Sequence, residues 1–370
     1  MRSTFWNRVE VRWHDGRLKS ASRLKEILAF FLDRTCGRPF SFVELDMSTV
    51  SDYFTFDVQP ILLDLVVYSE QWENVFVQLR PSKLQYLCGA KGRLPMLKKL
   101  FLSVATQQDI TLPSMVANIF KDAPLLTHIA LWESPSCQFF KINWSSMTIL
   151  EFRRWSTSLY TTGIAPILRE TINLVELTII PKLPDTEGGR LIHLPCLERL
   201  SIIDVKFLTI LDTPFLQQLK IIFDPWKLGL NDKDIITTFL SRSGIRLSTL
   251  VIECGLAAVV IEILRFMPKI HKLVLDSIQD VEDVFKWLAR TEAPLCSDLH
   301  ILSAYSEVKK SFWALHDMIA CRNPPGDEKD PSPQKVTIML YGEGESTVLE
   351  NLELLCRDRG VPFTFGEFEP

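Results

Sequence analysis

Leu194-Pro195-Cys196-Leu197-Glu198-Arg199-Leu200-Ser201-Ile202-Ile203 carries the pattern from which this chain is built. Writing h for an apolar residue, its spacing is h-x-x-h-x-h with a proline just ahead, and it returns roughly every 25 residues along most of the length. Copies are anchored by Leu97-Leu100-Leu102, Leu126-Ile129-Leu131, Met147-Leu150-Phe152, Leu174-Leu177-Ile179 and Leu197-Leu200-Ile202. They continue through Leu216-Leu219-Ile221, Leu247-Leu250-Ile252, Ile270-Leu273-Leu275 and Cys296-Leu299-Ile301, with a weaker early copy at Trp72-Val75-Val77. Such a period predicts a solenoid, each repeat contributing one strand and a returning helix or loop.

Three buried aliphatic side chains stabilise far less than the ordering of a whole repeat costs, so no repeat holds itself together. Stacking lets each strand use its neighbour's backbone as a hydrogen-bonding edge and closes one core beneath them. The last two h positions lie two apart on a strand and share a face, so the residue between them points the other way. The pattern therefore builds an inward core and an outward ladder together.

A chain of 370 residues ordinarily suggests several domains, but a repeat array grows along one axis and is expected to remain one elongated domain. With 47% hydrophobic and 23% charged residues the composition is that of an ordinary globular protein. A net charge of -4 offers no general attraction to nucleic acid or to an anionic membrane. The eight cysteines are scattered without a C-x-x-C pair, as expected of reduced thiols in cytosol or nucleus. No secretory signal or membrane span is read: the start lacks an apolar run, and Gly255 to Met267 is short and interrupted by Glu262 and Arg265.

Residues 1–93 read as divergent leading repeats that cap the array. A strand is expected at Trp6 to Val11, a helix at Leu24 to Leu32 ending near Gly37 and Pro39, and a strand at Phe40 to Leu45. A second helix follows at Pro60 to Val67 and a strand at Trp72 to Leu79. Residues 94–302 carry the repeats, with short helices expected at Ser114 to Phe120, Asp232 to Leu240, Leu256 to Met267 and Val281 to Ala289. Prolines such as Pro95, Pro124, Pro195 and Pro214 fall one or two residues before the first h, where they end what precedes and leave strand pairing intact. Residues 303–370 form a closing cap: a helix from Val308 to Ile319, a mobile loop at 322–333 rich in proline, and a strand at Val336 to Leu340. A helix opened by Thr347-Val348-Leu349-Glu350 should stop at Gly360, and the tail from Val361 to Pro370 is expected to be loose.

These features together resemble the leucine-rich-repeat region of fungal F-box-like proteins. Thr4-Phe5-Trp6-Asn7-Arg8-Val9-Glu10-Val11 is similar to that family's Trp-and-strand landmark, with Thr4 in place of a proline. The helix Leu24 to Leu32 followed by Cys36-Gly37-Arg38-Pro39-Phe40, and Gln71-Trp72 ahead of a strand, resemble its next two landmarks. The resemblance implies an α/β leucine-rich-repeat solenoid, a parallel sheet on the concave face and irregular helices and loops on the convex face. It also implies the substrate-reading half of a cullin-RING ubiquitin ligase, tied through an F-box to the Skp adaptor. That F-box would lie before Trp6, which only five residues precede, so the adaptor is expected as a partner only if an F-box lies upstream. The asparagine or cysteine that such repeats carry eight residues past the first h is missing here, as at Ala105, Lys182, Val205 and Ile278, which predicts irregular curvature.

Catalytic spacing is absent: there is no G-x-S-x-G, no phosphate-binding glycine loop and no H-E-x-x-H, and Gly342-Glu343-Gly344-Glu345 reads as a turn. No cofactor or metal is expected, and the chain is read as non-enzymatic. His128, His271 and His300 are taken as solvent-facing strand residues without ligand spacing around them. The outward ladder is the candidate surface for an unknown protein ligand, and includes Ser103, Ala130 and Thr178 among smaller residues. Its partner-binding candidates are Trp132, Arg153, Arg154, Trp155, Glu176, Arg199, Lys220, Glu253, Lys272 and His300. Trp132, Arg153, Arg154 and Trp155 come from neighbouring repeats and form one patch, or else the two tryptophans merely cover a loop core. The alternatives are a divergent hydrolase-like enzyme, a repeat protein unrelated to ubiquitin transfer, and a single-strand nucleic-acid binder, for which a basic aromatic track is lacking.

Overall fold

A computed structural model describes residues 8–12, 21–45, 59–104, 113–132, 140–153, 164–180, 190–223, 232–243, 246–267, 269–290, 296, 298–305, 308–322, 337–341 and 346–366. The chain divides into two compact units, Met1–Pro184 and Asp185–Pro370. Both are α/β with parallel sheets.

In the first unit β1 (Arg8–Arg12), β2 (Phe40–Leu45), β3 (Trp72–Leu79), β4 (Lys99–Val104), β5 (His128–Trp132), β6 (Ile149–Arg153) and β7 (Glu176–Ile179) lie in chain order. Each pairs in parallel with the next. The returns are α1 (Ala21–Arg34), α2 (Gln59–Val67), a 3-10 stretch at Pro81–Ala90, α3 (Ser114–Ala117), a 3-10 turn at Trp144–Ser146 and α4 (Ile164–Glu170). The expected leading strands and helices are all present, but α3 is a single turn where a longer helix was expected. Helix α1 ends as its sequence implies, with Cys36 and Gly37 both at positive φ, 50° and 77°, and Thr35 Oγ1 donating to Leu32 O at 2.7 Å. Trp72 anchors this end: it is fully buried, its ring lies 4.9 Å from Phe42, and its Nε1 donates to Leu65 O at 3.1 Å.

In the second unit a two-stranded parallel ribbon joins β8 (Ile192–His193) to β10 (Leu211–Asp212). The larger sheet runs β9 (Arg199–Ile202), β11 (Gln218–Ile222), β12 (Thr249–Glu253), β13 (Lys272–Asp276), β14 (Ile301–Tyr305), β15 (Thr337–Tyr341) and β16 (Phe363–Gly366), again all parallel. Helices α5 (Asp232–Ser243), α6 (Ala257–Arg265), α7 (Val281–Leu288), α8 (Val308–Arg322) and α9 (Ser346–Asp358) return the chain, each packed on the next. Helix α9 closes at Gly360, φ 60°, where Val361 N donates to Cys356 O and Gly360 N to Arg357 O, the paired bonds of a Schellman stop. Beyond it the expected loose tail is instead β16, whose backbone finds partners on β15.

The recurring apolar triplet is the core in both units. Leu97-Leu100-Leu102, Leu174-Leu177-Ile179, Leu216-Leu219-Ile221 and Ile270-Leu273-Leu275 are all buried, as is the weak copy Trp72-Val75-Val77. Ahead of most triplets the first h donates its N–H to the carbonyl three residues back, as Leu197 to Leu194, Leu216 to Thr213 and Ile270 to Met267. The residue after the first h then accepts two consecutive N–H groups from the next repeat: Gln217 and Gln218 on Glu198 O, Ser248 and Thr249 on Gln217 O, His271 and Lys272 on Ser248 O.

That bonding corrects the last copy. Leu299 N donates to Cys296 O, and His300 and Ile301 N both reach His271 O, so Leu299 is the first h. The true triplet is Leu299-Leu302-Ala304, three residues on from Cys296-Leu299-Ile301, with Leu302 opposite Leu273 and Ala304 opposite Leu275. Both frames satisfy the spacing, and small Ala304 disguises the correct one. Of the loop expected at 322–333, Arg322 ends α8 and donates to Leu288 O at 3.0 Å and Cys296 O at 2.9 Å; 323–333 lie outside the described residues.

Candidate functional site

Strand alternation leaves three rows of side chains on the first unit's other sheet face. Asn74, Lys99, His128, Ile149 and Glu176 form one; Phe76, Phe101, Ala130, Glu151 and Thr178 the next; Gln78, Ser103, Trp132 and Arg153 the third. This face closes on itself. Phe76 and Phe101 stack at 5.6 Å, Trp132 meets Phe76 edge-on at 6.1 Å, and His128 lies 5.1 Å from Phe101. Ala130, between these larger neighbours, is fully buried although it faces away from the leucine core, and Ser103 and Thr178 are buried too.

Within the cluster, Glu151 joins two partners. His128 Nε2 lies 3.1 Å from Glu151 Oε1, and Arg153 Nε donates to Oε2 at 2.7 Å. The ionised carboxylate only accepts, so this contact assigns a hydrogen to His128 Nε2. The His128 hydrogen bond, followed by the Arg153 charge, holds the Glu151 carboxyl below its ordinary value of 4.5 against the opposing effect of burial. Arg153 also lies over the Trp132 ring, its Cζ 5.6 Å from the centroid. Two buried polar atoms of this cluster, His128 Nδ1 and Trp132 Nε1, have no hydrogen-bond partner among the described residues.

The expectation that His128 faces solvent is therefore overturned, since it is 9% exposed under an aromatic neighbour and beside a carboxylate. Trp132 is the last residue of β5, opposite Ser103 and Arg153, and takes part in the face instead of trailing past the strand. The structure brings Trp132 and Arg153 together as expected from sequence. Arg154 and Trp155 lie outside the described residues. Glu176 opens β7, opposite Ile149.

The second unit's corresponding face is more open. Arg199 is exposed, while Gln218, Lys220, Thr249, Val251, Glu253, Lys272, Val274 and Asp276 are half-buried. Lys220 Nζ lies 2.6 Å from Glu253 Oε1, and Arg199 and Lys272 occupy the row Arg199, Gln218, Thr249, Lys272, Ile301. His300 is not in that ladder: the three-residue correction places it just before β14, equivalent to His271, with the two rings stacked at 5.6 Å. Asp298 likewise falls ahead of the strand.

Reasoning from sequence passed over Phe76 and the His128–Glu151 pair. The signal was present, because alternation puts Phe76 and Phe101 on one face and sets His128 diagonal to Glu151 on the next strand. Among the described residues no group of three or more His, Cys, Asp and Glu side chains is placed to hold a metal ion, and no helix is long and apolar enough to cross a membrane. An open cavity of about 270 Å³ lies in the second unit beside Leu208, Phe239 and Arg242, but Arg242 Nη2 is committed to Leu208 O and Leu211 O at 2.8 and 2.6 Å.

No protein-family model matches the chain, and no curated protein does. Among solved structures, one titled "Crystal structure of TLR13-ssRNA13 complex" is similar at a TM-score of 0.36 and 11% identity. That superposition covers 80% of this chain and 42% of the other, so this chain spans less than half of its neighbour's length.

Proposed function

We propose that this chain is a leucine-rich-repeat solenoid acting as a non-catalytic protein-interaction scaffold, with its outward strand face as the recognition surface. The observation that carries this reading is the register: one face of each strand is committed to the core, while the other presents an ordered array of Arg, Lys, Glu and aromatic side chains. Such arrays suit an extended protein ligand, because affinity accumulates over many strands and a few aromatic or Arg anchors dominate it. A photo-crosslinking residue placed at Lys220 or Lys272 should yield protein adducts in cell extract, and one at exposed Phe266, beside the end of α6, should not. Equal labelling from both positions would remove the recognition surface from the strands.

Within this reading, the F-box-like resemblance suggests membership of a cullin-RING ubiquitin ligase, with the Skp adaptor a partner only if an F-box lies upstream. The 370 residues alone should fail to retain purified Skp adaptor, and the chain extended by an F-box should retain it. Cytosol or nucleus fits the free thiols of Cys36, Cys88, Cys196, Cys254, Cys296, Cys321 and Cys356. Single-stranded nucleic acid is disfavoured by the net charge of -4, and salt-dependent retention on a nucleic-acid column would reverse that judgement.

A further inference from the structure

We propose that the Trp132–Arg153 corner of the first unit's strand face anchors a carboxylate side chain, an Asp or Glu next to an apolar residue, in an extended segment of the protein partner. This deepens the scaffold reading and rests on it. Arg153 donates its Nε to Glu151, and its two terminal guanidinium nitrogens have no partner among the described residues, on a side chain that is 43% exposed. That pair is the fork that takes a carboxylate through two parallel bonds. Contact with Trp132 and the bond to Glu151 hold the guanidinium in place before any partner arrives, which lowers the ordering cost of binding.

Hydrogen-bond supply points the same way. Both Glu151 oxygens already accept, one from His128 and one from Arg153, and the spare fork lies beside them. Phe76 and Phe101 supply the adjoining apolar surface. A single spare fork suits a monoanion; a phosphate, at about -1.5 to -2, calls for a cluster of arginines that the described face does not supply.

Panning random linear heptapeptides on the full chain, then measuring synthetic winners by fluorescence anisotropy, tests this. Winners should share an acidic position, and replacing it by the amide should weaken binding roughly tenfold to a hundredfold. Arg153→Gln should cause a similar loss and erase the preference for acid over amide, while Lys121→Gln, at an exposed position off the strands, leaves affinity unchanged. Trp132→Ala, which removes the ring that Arg153 lies over, should weaken binding about threefold to tenfold. If Arg153→Gln does not unfold cooperatively, Arg153→Lys keeps the charge without the fork and should cut the acid-over-amide ratio by about tenfold. Acid-selective binding indifferent to Arg153, winners without an acidic position, or tighter binding of a phosphoserine peptide would each overturn the proposal. Strand-face crosslinking would survive those results. Failure of both panning and strand-face crosslinking would remove the scaffold reading as well.

Discussion

The two units share one backbone plan and carry opposite surfaces on it. Opposite the leucine core, the first unit sets Phe76, Phe101, Ala130, His128, Glu151 and Trp132 so that they cover one another. The second places Gln218, Lys220, Thr249, Val251 and Lys272 at equivalent positions, and none of these is buried as Ala130 and His128 are. Side-chain size and pairing explain the difference. Small Ala130 between large rings lets the aromatics lean together over a charge pair, whereas Thr, Val and Lys side by side neither fill that space nor cover each other. A repeat register thus fixes which residues face outward, while local chemistry decides whether that face is closed or available.

The largest test asks whether the cores are as alike as their registers. Leu150→Ala in the first unit and Leu250→Ala in the second, both fully buried, should each cost about 2–5 kcal/mol in urea unfolding. A loss below about 1 kcal/mol at either site would show that its triplet is not a packed core.

Next comes the charge pair. Glu151→Gln removes the carboxylate that satisfies His128 and Arg153, and should destabilise by about 1–3 kcal/mol. The matching change in the second unit, Glu253→Gln, breaks a more exposed contact to Lys220 and should cost less than about 1 kcal/mol, a cost that shrinks further in high salt. Equal losses would erase the contrast between closed and open faces.

Acid titration sharpens the same contrast. Because folding lowers the Glu151 pKa, its contribution is present above the ordinary value of 4.5 and drains away as pH falls through the lower folded value. The urea midpoint of the wild type should therefore fall more steeply below pH 4.5 than that of Glu151→Gln. Parallel slopes would mean that the carboxyl is not held ionised by its neighbours.

Strand positions, helix positions and the stop at Gly360 were legible because each is written in local spacing: period two for strands, longer periods for helices, and glycine where φ must be positive. The last repeat was not, since Cys296, Leu299, Ile301, Leu302 and Ala304 admit two frames and only the bonds from Leu299 N to Cys296 O and from Ile301 N to His271 O choose between them. The same ambiguity carried His300 into the candidate ladder. The tail strand β16 was missed for a related reason, because an edge strand is recognised by the partner it pairs with.

The sequence by itself determined the period and, outside the last repeat, the core residues and the face on which the strand residues stand, because alternation along a strand is a property of the covalent backbone. Only the tertiary structure decided that His128 lies buried against Glu151 and that Arg153 rests over Trp132. Those facts depend on side chains from different strands meeting across the sheet, and the distances at which they meet are set by register and side-chain volume together.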